Sequence, residues 1–153
     1  MPDGVFRTRV REEEFGVYPN VKLVIRKDSC MHCQDAPCIK MCPTGASHYT
    51  EFGTVEVDPD LCAGCRYCVV ACPYHARSMN PLTKLPEKCT FCHHRLKKGL
   101  KPACETTCVA KAIISGDLNN PNSEVAKAVA EGAEVIHPEY KTEPSIYYLP
   151  IRR

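Results

Sequence analysis

The 153-residue sequence predicts a loop-rich α+β fold with an internal repeat and a third cysteine-bearing extension, and three observations lead there. Twelve cysteines fall into three quartets, two of which share a spacing pattern and end in Cys-Pro. The stretches around them read as a short hairpin, short helical turns and extended segments. Thirteen prolines, four phenylalanines and no tryptophan leave little to pack. The apolar share is 44% with cysteine included and roughly 36% without it. So thin a core does not offset the entropy of ordering the chain, and something other than packing must cross-link it.

Four units follow in order. Residues 1–29 form an N-terminal segment and 30–80 hold the repeat. Within the repeat, short helical turns are expected after Asp35 and Cys65, each ending at a Cys-Pro pair. Between its halves, Ser47-His48-Tyr49-Thr50, Glu51-Phe52-Gly53 and Thr54-Val55-Glu56-Val57 read as a β-hairpin that Asp58-Pro59 ends. Residues 81–118 carry the third quartet, entered through a linker at 81–88 that Pro81 and Pro86 stiffen. Ile113-Ile114-Ser115 suggests a short strand, and 116–122 is rich in turn residues. Residues 119–153 comprise a helix and an extended tail. Ser123 is the expected N-cap, Val125, Ala126 and Val129 form an apolar face, and Gly132 is the stop. Around Ser145-Ile146-Tyr147-Tyr148-Leu149 the prolines 138, 144 and 150 keep the tail extended along the domain or a partner.

The net charge of +2 gives no reason to expect nucleic-acid binding, and no apolar run is long enough to span a membrane. Neither a signal segment nor a twin-arginine motif opens the chain. The even balance conceals a pattern. Residues 61–111 carry 9 basic and 2 acidic side chains, while the flanks at 1–60 and 112–153 stand at −3 and −2. No nucleophile–base pair, phosphate-cradling loop or open metal site suggests catalysis by this chain alone.

The quartets are Cys30-x2-Cys33-x4-Cys38-x3-Cys42-Pro43, Cys62-x2-Cys65-x2-Cys68-x3-Cys72-Pro73 and Cys89-x2-Cys92-x11-Cys104-x3-Cys108. Cysteines two residues apart are badly placed for unstrained disulfides. The second quartet is the bacterial ferredoxin run, in which three thiolates wrap a [4Fe–4S] cube and the fourth reaches a neighbouring one. The first differs only in its x4 spacer, Gln34-Asp35-Ala36-Pro37. A ferredoxin-like module with a pseudo-twofold repeat is therefore expected. One cube takes Cys30, Cys33, Cys38 and Cys72, and the other takes Cys62, Cys65, Cys68 and Cys42.

Spacing alone leaves the third quartet open between a further cube and a four-thiolate zinc site. Lys88, Arg95, Lys97, Lys98 and Lys101 would favour an anionic cube, or they form a solvated basic face. His32, His75, His93 and His94 adjoin the motifs, but each quartet already supplies four thiolates. These rings are expected as hydrogen-bond donors or surface groups. Tyr67, Tyr74, Tyr147 and Tyr148 are expected to pack.

Cys33-Gln34-Asp35-Ala36-Pro37-Cys38, Cys42-Pro43-Thr44-Gly45-Ala46, the Cys89–Cys108 quartet, Ser115-Gly116-Asp117-Leu118 and the Pro144–Leu149 tail together resemble the iron–sulfur electron-transfer subunits of the DMSO, polysulfide, thiosulfate and nitrite reductase type. That resemblance implies a molybdopterin-containing catalytic subunit and a membrane anchor or cytochrome as partners. It places the complex in the cytoplasm, or on the periplasmic face by co-export with a partner. The family has four quartets where this sequence has three, and Met1–Arg7 resembles the stretch after the family's first. A start set downstream of the true one and a three-quartet variant both account for that. Lack of the first quartet leaves Cys89, Cys92 and Cys104 without the fourth ligand the resemblance implies, and Cys108 without the cube it would serve, so the third site is a cube closed by Cys108, a three-thiolate cluster, a zinc knot or incompletely metallated. The expected function is one-electron transfer through two [4Fe–4S] clusters and a third. The rivals are a free soluble polyferredoxin and a zinc-stabilised interaction module.

Overall fold

A computed structural model describes residues 2–150, in which three separate two-stranded antiparallel sheets are joined by short helices. The first sheet pairs β1 (Thr8–Val17) with β2 (Asn20–Ser29) from Thr8↔Ser29 to Val17↔Asn20. The sequence pattern does not predict this ribbon. Gly16 stands at φ +98°, where a Cβ would collide with the Asn20 carbonyl, so the turn requires glycine. Directly opposed residues share a face, and Val10, Leu23 and Ile25 lie exposed on one of them.

The hairpin expected between the first two quartets forms as β3 (Ser47–Tyr49) and β4 (Val55–Val57), with Ser47 opposite Val57. The helical turns also form. Helix α1 (Pro37–Lys40) precedes Cys42-Pro43, and α2 (Tyr67–Val70) precedes Cys72-Pro73. They contact one another, and α1 also contacts β3.

Three local expectations change. The stretch read as a linker folds back, because Pro86–Glu87 (β6) pairs with Ser78–Met79 (β5) around a turn that the Asn80 side chain closes by accepting from the Leu82 N–H. Ile113-Ile114-Ser115 is not a strand; the Ser115 hydroxyl instead bonds the Glu105 carboxylate. Tyr67 is exposed rather than packed, since α2 turns it to solvent. Helix α3 (His93–Leu96) lies inside the third quartet's long spacer, and α4 (Ala103–Thr106) begins at the spacer's last residue and carries Cys104. Helix α5 (Glu124–Ala130) starts where Ser123 accepts from the Ala126 N–H at 3.1 Å and stops before Gly132 at φ +102°.

Met31, Cys33, Ala36, Cys38, Val55 and Cys68 form the buried core, with Ile39, Val69, Tyr74, Ile136, Ile146 and Tyr148 packed around it. The thin core is thus a cysteine core. The tail lies along it: Gln34 and Asp35 donate their N–H groups to the carbonyls of Glu143 and Thr142 at 2.8 and 3.1 Å, and Ser145 donates to Met31. Among the described residues no helix is long and apolar enough to cross a membrane.

Candidate metal centre

All twelve cysteines are free. Cys30, Cys33, Cys38 and Cys72 are all buried, and Cys38 and Cys72 act electrostatically on Cys33. Burial pushes the Cys30 thiol up to about 11, opposed by the charges of Lys88 and Arg77. Cys42, Cys62, Cys65 and Cys68 line one small cavity with Gly64 and Ser47, so Cys42 of the first quartet faces three cysteines of the second. The Ser47 N–H reaches the Cys42 sulfur at 3.4 Å, and Cys65 lies at the surface. Gly64, at φ +66°, brings the loop to where a Cβ would stand 3.0 Å from the Lys84 carbonyl oxygen.

The third quartet is partly exposed. Backbone N–H groups of Phe91, Ala103 and Ala112 are aimed at the sulfurs of Cys89, Cys92 and Cys108, at 3.5, 3.4 and 3.3 Å. Among the described residues, no three His, Cys, Asp or Glu side chains come together so as to hold a single metal ion.

The structure divides the basic segment read from the sequence. Lys97 reaches Glu51 at the surface, Lys101 reaches the nearly buried carboxylate of Glu105, and Arg95 donates to the Lys101 carbonyl. Lys88 turns inward. It is 3% exposed and donates its Nζ to the carbonyls of Val55 and Cys89. Arg77 is 4% exposed and donates to the Cys38 sulfur at 3.0 Å and to the Ser47 hydroxyl at 2.9 Å. Neither cation has a carboxylate within ion-pair distance among the described residues. A buried charge without a counter-charge is strongly unfavourable. The anions available here are thiolates, and an iron–sulfur cube with four thiolates carries about −2 in its oxidised form. The donor set and the two buried cations therefore fit iron–sulfur clusters.

His32 is 1% exposed, its Nδ1 accepts from the Val55 N–H at 3.0 Å, its ring stands edge-on to Phe91, and its Nε2 has no partner among the described residues. With Nδ1 accepting, the ring proton sits on Nε2, a buried donor. His93 pairs with Glu51 at the surface, and His75 and His94 are exposed.

Arg77 and the tail contacts are not evident from sequence. Thr142, buried, shares a 2.8 Å hydrogen bond with the Tyr74 hydroxyl. Tyr49 spans the x4 spacer, accepting from the Ala36 N–H and donating to the Gln34 carbonyl. Tyr74 is marked in sequence only by following a Cys-Pro pair and Tyr49 only by its place in the hairpin, while Arg77 and Thr142 carry no local signal.

A core of thiols counter-charged by buried cations defines a small iron–sulfur protein. Residues 21–118 match the family described as the 4Fe-4S dicluster domain. The sequence is 42% identical over 161 residues to Protein NrfC of Escherichia coli (strain K12), covering 99% of this chain and 70% of that protein. It is 42% identical to the B subunit of sulfite dehydrogenase from Allochromatium vinosum, covering 99% and 67%. It is 39% identical to the B polypeptide of polysulfide reductase from Wolinella succinogenes, covering 100% and 82%. The protein belongs to the 4Fe–4S dicluster family and, within it, to the iron–sulfur electron-transfer subunits of this reductase type.

Proposed function

We propose that the protein holds two [4Fe–4S] cubes in a ferredoxin-like, pseudo-twofold module at 30–80. Cys30, Cys33, Cys38 and Cys72 hold one, and Cys62, Cys65, Cys68 and Cys42 the other. Cys89, Cys92, Cys104 and Cys108, within 81–118, hold a third cluster. When bound, the cubes supply one-electron transfer between protein partners.

The observation that carries this reading is the single cavity lined by Cys42 together with Cys62, Cys65 and Cys68. The repeat is supported by α1 and α2, which touch each other and each lead into a Cys-Pro pair. At the third site, three amides aimed at sulfurs favour thiolate ligands. A cube and a four-thiolate zinc knot would both use such ligands, and metal analysis separates them.

The protein's own residues have three tasks. Burial of Cys30, Cys33, Cys38 and Cys72 keeps water from the first site, whereas Cys65 leaves the second close to the surface and to a partner. Arg77 and Lys88 offset negative charge inside. The tail at 142–145 straps the first cysteine loop.

The names of further relatives, among them the B subunits of tetrathionate reductase from Salmonella typhimurium and of selenate reductase from Mesobacillus selenatarsenatis, support a larger catalytic partner. We assign that partner to the molybdopterin type, with a membrane anchor or cytochrome at the other end, in the cytoplasm or on the periplasmic face by co-export. The test is anaerobic purification with metal and acid-labile sulfide analysis. Three cubes predict about twelve iron and twelve sulfide per polypeptide. About eight of each with one zinc would make the third site a zinc knot, and zinc without sulfide would overturn the reading.

A further inference from the structure

We propose that Arg77 is a shared positioning residue for the first two cubes, one guanidinium that bridges their ligand sets and raises both reduction potentials together. The inference rests on the two-cube reading above and deepens it.

The geometry is specific. Arg77 lies just past the second Cys-Pro pair, yet its Nη2 donates at 3.0 Å to the sulfur of Cys38, a ligand of the first cube. Its Nη1 donates at 2.9 Å to the hydroxyl of Ser47, whose own N–H donates to the sulfur of Cys42, a ligand of the second. One side chain thus reaches the first cube directly and the second through a relay of one residue. Cys38 and Cys68 share the buried core, and the charge of Arg77 acts on the Cys68 thiol against the effect of burial. Burial pulls the guanidinium's own pKa down, but the thiolates of Cys38, Cys68 and Cys30 outweigh it and leave the pKa raised.

Reduction adds negative charge, and a fixed cation in a desolvated site favours the more negative state. A guanidinium carries its donors on separate nitrogens of one rigid plane, so Nη1 and Nη2 hold Ser47 and Cys38 at a fixed spread, whereas an ammonium offers all its donors from a single nitrogen. The charge of Arg77 and its shape are therefore both used.

The experiment is an EPR-monitored redox titration of the purified complex, native and with Arg77→Gln, Arg77→Lys or the surface change Lys97→Gln, with iron and sulfide measured on each. Arg77→Gln is expected to lower both potentials by about a tenfold change in the reduction equilibrium, 59 mV for one electron. Arg77→Lys is expected to move the two unequally, and Lys97→Gln to move neither. A shift of one potential alone in Arg77→Gln, or of neither, overturns the proposal. If Arg77→Gln does not load, Arg77→Lys decides it: unequal shifts support it, and an unmoved pair overturns it. Failure of the two-cube reading itself would show separately, as fewer than about eight iron and sulfide in the native protein.

Discussion

At the scale of single residues, the site depends on a few positions that the cysteine pattern does not mark. Gly64 lies between Cys62 and Cys65 at φ +66°, and a methyl group there would press on the Lys84 carbonyl. Gly64→Ala is expected to cost about 1–2 kcal/mol, the usual cost of a left-handed residue with a Cβ. In a protein of this size that is a fall of roughly 2–8 °C in the thermal midpoint, read by visible absorbance as the clusters are lost. An unchanged midpoint would show that the loop relaxes freely. Thr142→Val removes the partner of the Tyr74 hydroxyl and is expected to cost about 1 kcal/mol, measured in the same way. The proposed cysteine ligands are legible because a cluster dictates the spacing of its thiolates. Arg77 and Thr142 are not, because their contacts cross 39 and 68 positions and nothing local distinguishes them from surface residues.

Among the elements, those that formed as expected are the ones whose cause is local. The β3–β4 hairpin has its glycine turn, and α5 has its serine cap and glycine stop. The β1–β2 ribbon was not legible because Glu12-Glu13-Glu14 interrupt the alternation of β1, and most of its side chains stay exposed on both faces. It is anchored near its base, where Tyr148 donates its hydroxyl to the Lys27 carbonyl at 2.9 Å and Arg7 pairs with Glu87 at 2.6 Å. A two-stranded ribbon is marginal by itself. Amide exchange in the isolated protein is therefore expected to be at least tenfold faster at Phe15–Leu23 than at Arg26–Ser29. Equal protection along both strands would contradict this. The tail behaves in the opposite way, as a strap whose backbone bonds hold Gln34 and Asp35. Truncation after Lys141 is expected to speed chelator removal of iron severalfold from the first site and little from the second, seen as a biphasic bleach in place of a single phase.

For the whole molecule, the cysteines explain why so thin an apolar core is enough. Half of the six core residues are cysteines, and the cations buried beside them, which have no carboxylate within ion-pair distance among the described residues, would balance the thiolates of the proposed clusters. Counting each cube with four thiolates as −2 takes the formal charge from +2 to about −2 with two cubes and about −4 with three. The central claim is that the halves of the repeat exchange their fourth ligands, and reduced-state EPR of four single cysteine variants in the complex tests it most directly. Cys72→Ala should lose the same signal as Cys33→Ala, and Cys42→Ala the same signal as Cys65→Ala. If Cys72→Ala instead matched Cys65→Ala, each quartet would close its own cube and the cross-ligated arrangement would be wrong.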